Sequence, residues 1–100
     1  MVEHVALGID IGGTNTAFGL VSQDGRVVYE DTVETTYYAD PQDLVKHVYK
    51  SVQKSEQFEN ILGIGIGAPN GNAFTGNIEF APNLTWKGVI PIASMFEDQF

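Results

Sequence analysis

The chain contains no cysteine, which excludes disulfides and thiolate–zinc centres within it. Positive charge is scarce: five Lys and Arg stand against thirteen Asp and Glu, for a formal net charge of −8. A nucleic-acid surface needs a basic patch, so no nucleic acid is expected among the partners. The same scarcity means that a bound anion must be held by backbone donors, hydroxyls or a metal ion. No apolar run is long enough to span a bilayer, and Glu3 and His4 stand where a secretory leader would turn apolar. A cytoplasmic protein without a membrane partner is expected. The pattern G-x-x-x-x-G-K-[ST] is also missing, which excludes a P-loop of the Walker type. One hundred residues allow one domain with a modest core.

What the chain does have is concentrated in the stretch Leu7–Leu20. An apolar run from Val5 to Ile11 carries a single carboxylate, Asp10, to a Gly12–Gly13 turn. Thr14, Asn15 and Thr16 crowd that turn with hydroxyls and an amide, and Ala17, Phe18, Leu20 and Val21 resume a β pattern. Glycine reaches positive φ and admits close approach of a ligand to the backbone. Successive N–H groups in such a turn form a concave nest for an anion. Asp10 repels phosphate, so its place in such a site is on Mg2+, directly or through water, with the ion bridging to phosphate oxygens. Asp10, Gly12, Gly13, Thr14, Asn15 and Thr16 are therefore candidate nucleotide-binding residues, with Asp10 as the metal ligand. A plain hairpin built from turn-forming residues fits the same spacing.

Val5–Ile11 is apolar at nearly every position, which predicts a central strand buried on both faces. A second strand over about Thr16–Val21 leads to an Asp24–Gly25 turn and a third strand from Arg26 to Thr35, polar in its second half like an edge strand. Asp40 suits a helix N-cap, Pro41 the first helical position, and Asp43 complements the dipole. Leu44, Val45, Val48 and Val52 share one face of that helix, which ends before Asn60. Lys46, Lys50 and Lys54 read as a solvated face, and His47 as a surface histidine. Ile61–Gly67 reads as a buried strand. Gly63-Ile64-Gly65-Ile66-Gly67-Ala68 formally fits G-x-G-x-x-[GA], but Pro69-Asn70-Gly71 follows where a helix should open, which sets the dinucleotide reading aside. Phe74–Phe80 carries short strands, Pro82–Gly88 is irregular, and Pro91 starts a second helix with Ile92, Met95, Phe96 and Phe100 on one face.

These residues resemble a known family. Asp10-Ile11-Gly12-Gly13-Thr14-Asn15-Thr16 is similar to the first phosphate motif of sugar kinases with an actin-like ATPase fold. The likeness is strongest to the ROK family (repressors, open reading frames and kinases), which includes bacterial glucokinases. It continues at Gly63–Gly71, at Gly76-Asn77-Ile78 and at Pro82-Asn83-Leu84-Thr85-Trp86, in the family's order, and so covers nearly the whole chain. The resemblance implies an α/β fold of the ribonuclease H-like, actin-like ATPase type. Its mixed sheet would have three antiparallel hairpin strands, then a parallel strand, with helices. It further implies ATP and Mg2+ as cofactors and a hexose, glucose or a related sugar, as substrate. Ala68, Pro69, Asn70 and Gly71, together with Asn83, would border the sugar pocket. Trp86 fits core packing better than sugar stacking, and Glu79 reads as a surface carboxylate.

The sequence also departs from the family. Its catalytic aspartate belongs to an Asn-Asp-Ala-Asn-like string that this chain lacks, as it lacks the zinc-binding His and Cys and the adenosine-binding glycines of the second lobe. Phosphoryl transfer needs an aspartate to take the hydroxyl proton and groups that hold the γ-phosphate in line. The expectation is the N-terminal lobe of a longer kinase, with its base beyond Phe100 and any structural Zn2+ confined to that missing part. Alone it would be inactive, and faces that the absent lobe would cover favour a homo-oligomer. The alternatives are a sugar-responsive regulator of the same family without its DNA-binding module, and a non-catalytic sugar-binding or assembly domain.

Overall fold

A computed structural model describes residues 3–100. Four strands, β1 (Val5–Ile11), β2 (Asn15–Ser22), β3 (Val27–Glu34) and β4 (Ile61–Gly67), form the main sheet in the order β3-β2-β1-β4. The first three are antiparallel neighbours, and β4 returns parallel to β1. The mixed sheet is the one the resemblance implied. Helix α1 (Pro41–Gln53) makes the crossover that a parallel return requires. Asp40 caps it by accepting from the Gln42 N–H, and Pro41 opens it. Leu44, Val45, Val48 and Val52 are fully buried in one core with Leu7, Ile9 and Ile11 of β1 and Phe18 and Leu20 of β2. Each such aliphatic burial contributes roughly 1.5–3 kcal/mol. A one-residue slip of β1 would forfeit its whole set, so the burial also holds the register.

Two expectations fail here for one reason. β1 is central, yet its burial alternates strictly, and Ala6, Gly8 and Asp10 are exposed. β4 is likewise open, with Gly63, Gly65 and Gly67 exposed and Leu62 69 % exposed. The registers Gly8↔Gly19, Gly8↔Gly65, Asp10↔Ala17 and Asp10↔Gly67 line these small residues across one face. Glycine and alanine count as apolar in a strand pattern but carry almost no surface to bury, so a one-sided strand reads like a two-sided one. Gly63, Gly65 and Gly67 lie inside a strand, consistent with setting the dinucleotide fingerprint aside.

Beyond β4 a second, antiparallel sheet comprises β5 (Gly71–Asn72), β6 (Asn77–Glu79) and β7 (Val89–Ile90). Helix α2 (Ile92–Gln99) buries Ile92 and Phe96. An edge-on aromatic cluster ties the helices together: the Tyr49 ring lies 5.5 Å from Phe58 and 5.0 Å from Phe100. Lys46, Lys50 and Lys54 are exposed. His47, expected on the surface, is half-buried against the Tyr38 ring at 5.7 Å and lies 3.3 Å from Ser51 Oγ. Among the described residues no helix is long and apolar enough to cross a membrane.

Candidate functional site

Because β1 and β4 are parallel, their carboxyl ends lie side by side, with Asp10 in register with Gly67. Ligands of α/β sheets bind at this end. The pleat that sends Ile9 and Ile11 into the core sends Asp10 out onto the bare face. Gly67 leaves the carboxylate uncovered; a Cβ there would touch Asp10 Oδ1 at 3.6 Å. Among the described residues Asp10 has no ion-pair partner. A single free carboxylate suits Mg2+, which keeps several waters and takes its other ligands from substrate phosphates. Among the described residues no cluster of three or more acidic or His side chains could cage a metal. An ion here would therefore depend on Asp10 together with ligand oxygens. Beside Asp10 the bare face forms a broad concavity of about 720 Å³, bordered on β3 by Glu30 and Asp31. Those carboxylates would repel a triphosphate placed in the concavity.

The tip does not use the left-handed backbone expected of its glycines. Gly25, Gly76 and Gly88 have left-handed backbones, but Gly12 and Gly13 do not. Glycine is needed at the tip for closeness. A Cβ on Gly12 would stand 2.7 Å from the Asn15 carbonyl oxygen, and one on Gly13 would stand 2.6 Å from that of Asn83. The Gly12 N–H is donated to the Asn15 carbonyl at 2.9 Å, so it is not free for an anion. Thr14 and Asn15 are exposed at the tip, and Gly12 and Gly13 are half-buried. Thr16, expected at the tip with the nucleotide-binding residues, faces the core instead. Its side chain is fully buried and its Oγ1 lies 2.7 Å from Thr35 Oγ1, because the alternation of β2 turns it inward with Phe18 and Leu20.

Gly13 brings in the second segment. Ala81, Leu84 and Trp86 are buried, and Trp86 Nε1 donates to the Tyr38 carbonyl at 2.7 Å. Trp86 is thus a core residue whose indole is spoken for, and Asn83 stays exposed between these anchors. The Ala68–Gly71 turn leaves the end of β4 and is closed by the Gly71 N–H on the Ala68 carbonyl at 3.2 Å. Ala68 and Pro69 are half-buried; Asn70 and Gly71 are exposed. Asn70 Nδ2 donates to the carbonyls of Glu79 and Phe80 at 3.1 and 3.2 Å. Its amide nitrogen therefore holds the turn on β6, and Oδ1 is the atom left for a ligand. Glu79 is not a free surface carboxylate, since it accepts from Asn72 Nδ2 at 3.0 Å and Thr75 Oγ1 at 3.4 Å. The neighbours Asp10–Gly67 and Gly13–Asn83 thus gather the hairpin tip, the turn and the Asn83 segment at one end of the sheet. Phe80, read only as part of a strand, stands exposed beside them.

The profile of the ROK family matches residues 6–100. The chain belongs to the ROK family. It is 29% identical over 85 residues to a glucokinase from Thermotoga maritima, covering 83% of this chain and 27% of that protein. It is 33% identical over 100 residues to a xylose repressor from Caldicellulosiruptor bescii, covering 94% of this chain and 25% of the repressor. A solved ROK family glucokinase from Streptomyces griseus, in complex with glucose and AMPPNP, superimposes with a TM-score of 0.76 at 27% identity, over 95% of this chain and 30% of that one. The chain spans about a quarter to a third of the length of these ROK relatives. Its fold is that of the actin-like sugar kinases of the family.

Proposed function

We propose that this ROK chain is the N-terminal lobe of an ATP-dependent, cytoplasmic hexose kinase acting on glucose or a related aldose. The observation that carries the reading is the convergence of a carboxylate without an ion-pair partner among the described residues, a glycine tip and two amide-bearing loops at the carboxyl ends of parallel strands. The glucokinase relatives, one of them solved with glucose and AMPPNP, support it. Asp10 would hold Mg2+, which when bound neutralises phosphate oxygens. Gly13, Thr14 and Asn15 would border the phosphates at the tip. Asn70 Oδ1 and the Asn83 amide would accept from and donate to sugar hydroxyls, with Ala68, Pro69 and Gly71 shaping the rim. Glu79 already accepts two hydrogen bonds within the chain, and Asp10 would serve the metal. The family resemblance puts the base that takes the hydroxyl proton in an Asn-Asp-Ala-Asn-like string that this chain lacks, so the chain alone would be inactive.

The xylose repressor favours a second reading, a sugar-responsive regulator that binds sugar without turning it over. A coupled ATP/glucose assay on the full-length gene product, with and without Mg2+, separates the two. Turnover is expected in the wild type, and Asp10→Asn is expected to lower kcat/KM by about 100-fold or more, as loss of one positioned electrostatic group does. Sugar binding without turnover would replace the kinase by the regulator. An Asp10→Asn enzyme with wild-type kinetics would remove the carboxylate from the mechanism.

A further inference from the structure

Phe80 is the residue this site leaves unexplained. It joins β6 to the Ala81–Gly88 segment with φ 51°, a left-handed backbone that bulky side chains rarely adopt. Glycine, or asparagine at lower strain, would suit the position better. Burial is not the compensation, since the residue is 70 % exposed. Its backbone is nevertheless held firmly. The N–H donates to the Gly88 carbonyl at 2.9 Å, and the carbonyl accepts from Asn70 Nδ2 at 3.2 Å. The side chain that secures the candidate sugar turn thus also secures Phe80. An outlying backbone kept by its surroundings, with a ring that packing does not claim, is the pattern of a functional position.

We infer that Phe80 is the apolar platform for one face of the hexose ring, and so a residue that sets sugar specificity; the inference rests on the sugar-site reading above. A pyranose carries hydroxyls around its rim and C–H groups on its faces. Asn70 Oδ1 and the Asn83 amide meet the first need but offer no apolar surface. Trp86 is 3 % exposed, with its N–H on the Tyr38 carbonyl, and cannot serve. An aromatic ring presents a negative face to polarised C–H groups, and small-molecule sites combine such apolar walls with a few placed polar atoms. Among the described residues, Phe80 joins an exposed aromatic ring to a backbone bonded directly to the candidate sugar turn.

The test uses the full-length gene product with Phe80→Gly, Phe80→Asn and Phe80→Tyr. Thermal unfolding is measured beside calorimetric binding of glucose, mannose and xylose. Glycine and asparagine both tolerate the left-handed backbone, so neither is expected to lower Tm, and Phe80→Gly is expected to raise it. Both are expected to weaken binding of the preferred sugar about 10-fold, while tyrosine keeps it within about 2-fold. Affinity for the magnesium–nucleotide complex should not move. A purely structural role would change Tm and leave sugar affinity alone. Unchanged sugar affinity in Phe80→Gly or Phe80→Asn would overturn the platform while leaving the sugar site intact. A wild type that binds none of these sugars would overturn the site itself and the platform with it.

Discussion

Replacing Gly13 by Ala tests whether the hairpin tip and the Asn83 segment are packed as one body. The added Cβ would lie 2.6 Å from the Asn83 carbonyl oxygen and 3.4 Å from its carbonyl carbon and Cβ. A relaxed C···O contact is about 3.3 Å or longer, so one side must move by about 0.7 Å. The oxygen belongs to backbone, and its segment is pinned by buried Leu84 and by the Trp86–Tyr38 hydrogen bond, so retreat is costly. Overpacking of this kind destabilises by roughly 1–3 kcal/mol. For a domain of this size that lowers Tm by roughly 4–24 °C. Gly8→Ala is the matched control. It adds the same methyl on the bare face, where nothing lies within 4 Å. By restricting the unfolded chain it should leave stability unchanged or raise it by up to about 1 kcal/mol. Urea unfolding of both variants, read as a shift in midpoint at constant slope, gives the comparison. A Gly13→Ala protein as stable as wild type, or a Gly8→Ala protein equally destabilised, would refute the packing argument.

Thr16→Val and Thr35→Val each strand a buried hydroxyl and should cost about 1–3 kcal/mol, whereas the double replacement should recover much of the loss. A double-mutant cycle measures this coupling, and strictly additive single effects would disprove the bond's role. Burial, aided by Asp31, raises the Tyr29 phenol above its ordinary pKa; burial, aided by Tyr37 and Asp43, does the same for Tyr38. A pKa raised on folding contributes stability that is full below the unfolded value of about 10 and is lost as pH climbs through the folded value. Tm should therefore decline above about pH 10, and by less in a Tyr29→Phe, Tyr38→Phe double variant; identical profiles would sink the assignment.

The elements that sequence reading located are those with local signals. Asp24–Gly25 marks a hairpin turn in which Gly25 takes φ 85°. Asp40-Pro41 and the spacing of Leu44, Val45, Val48 and Val52 mark α1, and all four of those apolar residues are fully buried. The errors lie where a distant partner decides the outcome. Thr16 looks like a hydroxyl at the rim of a turn until Thr35 meets it in the core. The need for glycine at position 13 comes from Asn83, nearly a whole chain away. His47 is covered because Tyr38 folds back over it. Asn70 reads as a turn residue at a pocket rim until its amide nitrogen meets the carbonyls of Glu79 and Phe80. Nothing in the pattern around Phe80 signals its backbone, since an aromatic residue is an ordinary occupant of a strand end.

The Trp86–Tyr38 bond and the Gly13–Asn83 contact also impose an order of assembly. The β1–β2–β3 hairpins and α1 can form from neighbours in the chain, whereas the Ala81–Gly88 segment has nowhere to dock until both receivers stand. During synthesis the hairpin tip can therefore take shape before the Ala81–Gly88 segment has left the ribosome. The hairpins and α1 are thus the template, and the Ala81–Gly88 segment is the part moulded onto it.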